Sequence, residues 1–354
     1  MRLLSRILVC AYLAAASLSV CFSQPVAPKP VDMADDADRL SEVASRARAT
    51  LVLSPNRRFV VEGDTLFGAQ LLTANELIFK PKGRLIFQDG TTNTAGHFFI
   101  VANKIVVEDP NNPGIITWQR DVPAAPADRG QASAGAGGSG EGARGGDGAG
   151  GAPGATGLTG TSSPVLTVFT RNAGQGGLVV DFVGGQGGPG GVGQIGGNGG
   201  PGTRGSAARQ ARASGPFGTT IWLPSCESGP GQGGAGGNGG AGGPGGLGGK
   251  GGNGGNVTLV STPERIATLF QAVRVNMGAG DGGPGGSGGG AGQGGPGGSE
   301  GQLANFCNSA GRNGAAGGPG SGGPFGGKGE QGRAGQPFVS QLSDDQFKAL
   351  FGFQ

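Results

Sequence analysis

Residues able to do chemistry are few in this chain. His97 is the only histidine, which removes a histidine-built metal site and a multi-histidine proton relay. It stands beside Phe98 and Phe99 at an expected strand edge, where a packing role is the natural one. Asp89, Glu108 and Asp109 could line a groove as paired carboxylates for glycoside chemistry. Set among turn residues, they read first as solvated turn acids. Lys250 and Lys328 are each followed by glycine, so the phosphate-cradling Gly-x4-Gly-Lys-Ser/Thr loop is missing. Gly-x-Gly-x-x-Gly recurs too often here to mark a nucleotide site. Asp147 and Asp281 are isolated, which excludes a calcium-binding nonapeptide array. No catalytic, cofactor-binding or metal-ligating residue is assigned, and no enzyme is expected.

The first 23 residues carry Arg2 and Arg6 ahead of an apolar stretch, 7–20, with small residues before Ser23. This is the pattern of a secretory signal peptide. A lipobox-like Leu18-Ser19-Val20-Cys21 offers a lipoprotein alternative, weakened by Val20. Removing the leader lowers the formal net charge from +3 to +1. Such a balance gives no footprint for nucleic acid, and no basic run points to anionic lipid. No later stretch is long and apolar enough for a membrane span. A secreted or cell-surface location is expected, with the periplasm as the alternative. In an exported chain the two remaining cysteines, Cys226 and Cys307, are expected to pair. Two unpaired buried thiols are the alternative.

Glycine supplies the positioning elements. The chain has 84 glycines and 23 prolines, a composition that without a period reads as disorder. A period is present. Glycine recurs at every third position in five runs: 142–160, 184–205, 231–255, 280–301 and 311–335. Three residues per turn is the polyproline II repeat, so each run gains a bare stripe that another backbone can approach. Runs two, three and four mostly carry two glycines per triplet, leaving one ridge of side chains and two packable faces. Run three has the longest such stretch and is expected to be the most enclosed; runs one and five are expected at the periphery. The runs resemble the glycine-rich polyproline II bundle proteins, of which the snow flea antifreeze proteins are the familiar members, over residues 135–336. The resemblance implies a bundle of about five antiparallel polyproline II helices. It also implies an ice-binding reading, which Gln232, Leu247 and Lys250 on the ridge of run three argue against. Collagen shares the period, but needs only one small position per triplet.

The remaining segments are apolar. Residues 24–31 form a Pro-rich lead, and 32–49 read as a short helix. Between 50 and 118, β-rich segments at 59–61, 71–72, 77–79, 85–87, 98–101, 105–107 and 115–118 alternate with turns, the signature of an all-β unit. A solenoid and a sandwich both fit. Strand-like segments at 165–170, 178–183, 219–223, 257–261 and 273–277 lie between the runs and read as caps closing the bundle ends. Thr262-Pro263 should start a short helix, with Thr262 as N-cap. Ser343-Asp344-Asp345-Gln346 has capping-box spacing. The expected fold is thus a mostly non-α/non-β glycine bundle preceded by a small all-β domain. Its divisions are 1–23, 24–49, 50–129, 130–336 and a C-terminal helix, 337–354.

The function expected is a structural or scaffold component of a cell surface or matrix, partnered by a surface polymer or by itself. An adhesin using the loops between runs is the alternative, with Phe217, Trp222 and Phe306 as contact residues. Ice binding is a second alternative.

Overall fold

The computed structural model describes residues 33–88, 96–174 and 177–353. The expected signal peptide, the Pro-rich lead and Asp89 lie outside the described residues. Two compact units divide the chain, residues 1–42 and residues 43–354. The helix α1, Met33–Leu53, is longer than the sequence suggests and takes residues 50–53 from the expected β segment.

Thirteen strands follow: β1 (Arg58–Val61), β2 (Asp64–Phe67), β3 (Leu71–Phe79), β4 (Arg84–Phe87), β5 (His97–Val107), β6 (Gly114–Trp118), β7 (Val165–Ala173), β8 (Leu178–Asp181), β9 (Arg209–Ser214), β10 (Thr220–Ser228), β11 (Val257–Ser261), β12 (Val273–Asn276) and β13 (Pro337–Gln341). They build two large parallel sheets. One has the order β1-β3-β5-β7-β11-β13 and the other β12-β8-β6-β4-β2. From β1 to β8, successive strands alternate between the sheets, so the chain winds coil upon coil. Beyond β8, after β9 and β10, β11 returns to the first sheet, β12 to the second and β13 to the first.

This corrects the expected fold class. The regular framework is a pair of six- and five-stranded parallel sheets, not a polyproline bundle preceded by a separate small β domain. The segments expected to cap bundle ends are sheet strands: β7, β8, β11 and β12 continue the ladders that β1 to β6 begin. Register explains why. Leu72 lies beside Ile100, Ile100 beside Val168 and Val168 beside Leu259, and all four are buried in one core. Leu85, Ile116 and Val180 form the facing column. Stacking like residues at strand spacing buries each side chain, worth roughly 1.5–3 kcal/mol apiece.

The outer face of the first sheet is covered by helices. Ala44, Ala47 and Leu51 of α1 pack with Phe99, Val101, Phe169 and Val260, together with Phe347 and Phe351 of α3 (Asp344–Phe351). Spacings of three and four residues put these side chains on one stripe. Ser343 caps α3 by a reciprocal box with Gln346, and Gly352 closes it in the left-handed region. The short α2, Ile266–Ala272, differs from expectation. Its N-cap is Arg265, without a side-chain cap bond. The Thr262 carbonyl instead accepts from the N–H groups of Arg265 and Ile266, so a turn precedes the helix.

Glycine segments leave the sheets at one recurring junction, from the second sheet back to the first: after β6, after β8 and after β12. Each goes out and returns. Outgoing neighbours run parallel, as in Gly187 N–H to Asp281 O and Gly190 N–H to Pro284 O. Returning neighbours do the same, as in Gly145 to Ala235 and Gly148 to Asn238. Outgoing and returning segments are antiparallel, with Gly237 N–H donating to Gly200 O and Gly240 N–H to Gly197 O. Among the described residues there are six such segments rather than about five. Residues 131–138 join through Ala132 N–H to Ile195 O and Gly135 N–H to Asn198 O.

Run three is bonded on four sides. It accepts from run one at Ala235, donates to run two from Gly243, accepts from run four at Gly243, and donates to run five from Gly242. Glycine is required there by space: a β-carbon on Gly243 would overlap the carbonyl of Ala152, and one on Gly242 the carbonyl of Gly289. The collagen-like description is also corrected, since a collagen triple helix winds three chains around one axis, whereas these segments run in both directions and meet up to four neighbours.

Candidate functional site

The chemically equipped residues are dispersed and engaged. His97 stacks on Phe99, ring centroids 4.0 Å apart, and its Nε2 lies 2.8 Å from Thr167 Oγ1. Glu108 pairs with Lys80 at 2.9 Å. Asp109 holds a turn: its carboxylate accepts from the Asn112 side chain at 2.6 Å and the Asn111 N–H at 2.9 Å. Those two bonds, the Asn112 one foremost, hold its carboxyl below the usual range. Among the described residues no group of three or more His, Cys, Asp or Glu could hold a metal ion.

A polar groove of about 560 Å³ lies on the framework, lined among others by Asn103, Lys104, Arg171, Asn172, Arg265 and Asp344. Arg171 grips Asp344 through both carboxylate oxygens, at 3.0 and 2.6 Å, and reaches Asn103. This clamp ties β7 to the first turn of α3. It depresses the Asp344 carboxyl, chiefly through the Arg171 hydrogen bond.

The distal turns of the glycine segments differ in character from the rest. Run two, 184–205, could carry them at most about 75 Å from the sheets at full extension. Between runs two and three the chain forms a two-stranded antiparallel ribbon, β9 with β10. Every residue of β10 is exposed. Its register sets Thr220 opposite Ser214, Ile221 opposite Ala213 and Trp222 opposite Arg212, then breaks in a bulge before Cys226 meets Gln210. Pro224 sits in that bulge, where a missing N–H costs least. The ribbon apex is a 3-10 turn, Pro216–Gly218, with Phe217 at φ 62°. Left-handed backbone is unusual for a phenylalanine, and it leaves the ring fully exposed, at 105%. Trp222 is 60% exposed.

The sequence-derived contact residues therefore divide. Phe217 and Trp222 both sit on the ribbon, whereas Phe306 is half-buried in the neighbouring turn between runs four and five. Leu303, in that same turn, is the more exposed apolar side chain at 51%. Cys226 of the ribbon is bonded to Cys307 of that turn. Gly229 also approaches Ser309 there, and Arg204 Nε donates to the Glu300 carbonyl at 3.2 Å. An isolated two-stranded ribbon is marginally stable; the disulfide fixes this one to a second turn.

No family model matches the chain, and no curated protein matches it. A springtail antifreeze protein from Granisotoma rainieri, described as a nine-helix polyproline type II bundle, is similar at 22% identity over 55% of this chain and 92% of its own length. The TM-score is 0.09. The resemblance to antifreeze bundles drawn from the repeat is corrected by the two parallel sheets that form the framework. The three-residue period is a local property, and it does not carry the sheet framework on which these segments are mounted. Among the described residues no helix is long and apolar enough to cross a membrane.

Proposed function

We propose that this protein is a structural component of a cell surface or extracellular matrix, in which the sheet framework is a base and the glycine segments are a rigid spacer. The observation that carries the reading is the ladder between segments. Donors at three-residue spacing, from Gly145 to Gly160 and from Gly233 to Gly254, bond to neighbouring carbonyls at 2.8–2.9 Å. Each bond contributes only ~1 kcal/mol net, but the rows oppose bending together. The built feature is a spacer with a tip.

The test is location and wear. Antibody labelling of intact cells of the source organism, with protease shaving and fractionation, is expected to find the chain outside the cytoplasm. Recovery in the cytoplasmic fraction alone, with the leader uncleaved, overturns the proposal. A specific observation favours an adhesin as the second reading: Phe217 and Trp222 stand unpacked at the far end of the spacer. Replacing both with serine separates the two, since a pure scaffold keeps its surface retention and an adhesin loses attachment. The ice-binding reading has no support beyond the resemblance.

A further inference from the structure

We propose that the ribbon apex is a shallow membrane-docking tip for an anionic lipid surface; the proposal rests on the surface-component reading above. The argument is the order of side chains along the ribbon. Residues 213–224 carry no charge. Phe217 forms the apex, fully exposed. Behind it come Ile221, 47% exposed, and then the rung that sets Trp222 opposite Arg212. Arg209 lies further back, opposite Ser228. At ~3.4 Å per residue the Trp222–Arg212 rung lies about 7 Å behind the Thr220–Ser214 rung, and Phe217 lies beyond that rung in the turn.

That sequence of layers is the sequence met on entering a bilayer leaflet. An apolar group leads, an indole sits at the interface, and guanidinium groups stay among the headgroups. Phe217, Ile221 and Trp222 are all exposed at this end, so a soft apolar medium suits it. Charge supports an anionic surface. The backbone bonds of Gly142 to Arg204 and of Gly233 to Arg312, with the ribbon register, bring Arg204, Arg209, Arg212 and Arg312 to this end from separate stretches of sequence, four positive charges against the negative charges of Glu141, Glu227 and Glu300. The ribbon itself holds two arginines against Glu227. Sequence spacing hides this grouping, because only folding brings residue 312 to the end that holds residue 204.

Flotation of the purified full-length mature protein with vesicles tests the proposal. Two vesicle types are compared, phosphatidylcholine alone and phosphatidylcholine containing phosphatidylglycerol. Binding is expected to the mixed vesicles, with a blue shift of Trp222 emission that is absent in Trp222→Phe. Phe217→Ser is expected to reduce bound protein about tenfold, and Arg212→Glu to reduce binding to the anionic vesicles more than to the neutral ones. Leu247→Ser, an exposed apolar side chain on the face of run three, is the control and should leave binding unchanged. Circular dichroism and an intact Cys226–Cys307 bond establish that each variant is folded. No flotation with either vesicle overturns the proposal. So does binding indifferent to Phe217→Ser, equal loss in Leu247→Ser, or retention on an acidic polysaccharide or a host protein without flotation. Failure here leaves the fractionation result standing, and failure of fractionation leaves this measurement readable, because vesicles report on the tip alone.

Discussion

Placing a side chain on the enclosed side of run three should cost far more than placing one on its ridge. Gly243 is the sharpest position. Its N–H donates to Gln194 O at 2.8 Å, its carbonyl accepts from Gly289 N–H at 2.8 Å, and a β-carbon there would overlap Ala152 O. Gly243→Val must therefore push three segments apart. Overpacking alone costs ~1–3 kcal/mol. Losing two or three backbone bonds adds ~1 kcal/mol each, more where a buried group is left unpaired. The sum is about 3–6 kcal/mol. For a chain of this size roughly 1 kcal/mol corresponds to ~1.5 °C, so Tm should fall by about 5–10 °C. Ala241→Val, two residues away on the exposed ridge, should shift Tm by under ~1 °C. Scanning calorimetry on Gly242→Val, Gly243→Val and Ala241→Val reads the contrast directly. Equal Tm values across the three would refute the four-sided enclosure.

Other outcomes are expected from the same geometry. Cys226→Ser should remove about 4.5 kcal/mol in the chain-entropy picture for a sequence separation of 81, and limited proteolysis should then cut within 209–228 while the sheets persist. Ser343→Ala should cost ~1 kcal/mol by breaking the capping box of α3. Asp344 has a folded pKa below its ordinary value, so its contribution is present above the unfolded carboxylate range and is lost as pH falls through the folded pKa. Stability measured from pH 7 down should therefore drop below about pH 4, with a smaller drop in Asp344→Asn. An Asp344 titration by NMR that is unchanged in Arg171→Met would contradict the assigned cause.

Legibility differed between the two halves of the architecture for a physical reason. The enclosure of run three could be read because excluded volume acts residue by residue: a second glycine per triplet appears where a second neighbour does. Residues 131–138 lie in the expected glycine region but in none of its five runs, because Ala132, Ser133 and Ala136 interrupt the pattern that Gly135 and Gly138 keep. The sheets were misread because their columns are assembled across the glycine excursions. Nothing near Val168 in the sequence announces Leu259 as its neighbour, since residues 182–256 intervene. Segments such as 257–261 have strand composition, but composition alone does not separate a bundle cap from a sheet strand. At the tip, Phe217 and Trp222 were visible as aromatics in a glycine-poor loop. Leu303 was missed for lack of an aromatic ring, and the left-handed turn that exposes Phe217 leaves no trace in its residue type.

The placement of the excursions also explains why they can be so poor in side chains. A strand in a sheet bonds on two sides and keeps both faces for side chains, so β7 buries Leu166 and Val168 on one face and Phe169 on the other. Run three, bonded toward four neighbours, keeps one face only, and a chain in that position cannot build a core of its own. Ordering it costs ~1–2 kcal/mol per residue, with glycine at the upper end, against ~1 kcal/mol per bond gained. The glycine stack is thus unfavourable or marginal by itself and must be held in place by something that already folds. Parallel strands ~4.8 Å apart provide this: β7, β11 and β13 are consecutive in one sheet, and runs one, three and five enter them in the same order. The sheets fix the spacing at which the segments meet, and the segments need only be bare enough to accept it. Disrupting a stacked column, for example Val168→Asp, should therefore melt the glycine ladder along with the sheets. Gly243→Val should loosen the ladder while β1 to β6 remain protected. Hydrogen exchange resolved by segment distinguishes these cases, and ladder amides that stayed protected in Val168→Asp would refute the dependence of the spacer on its base.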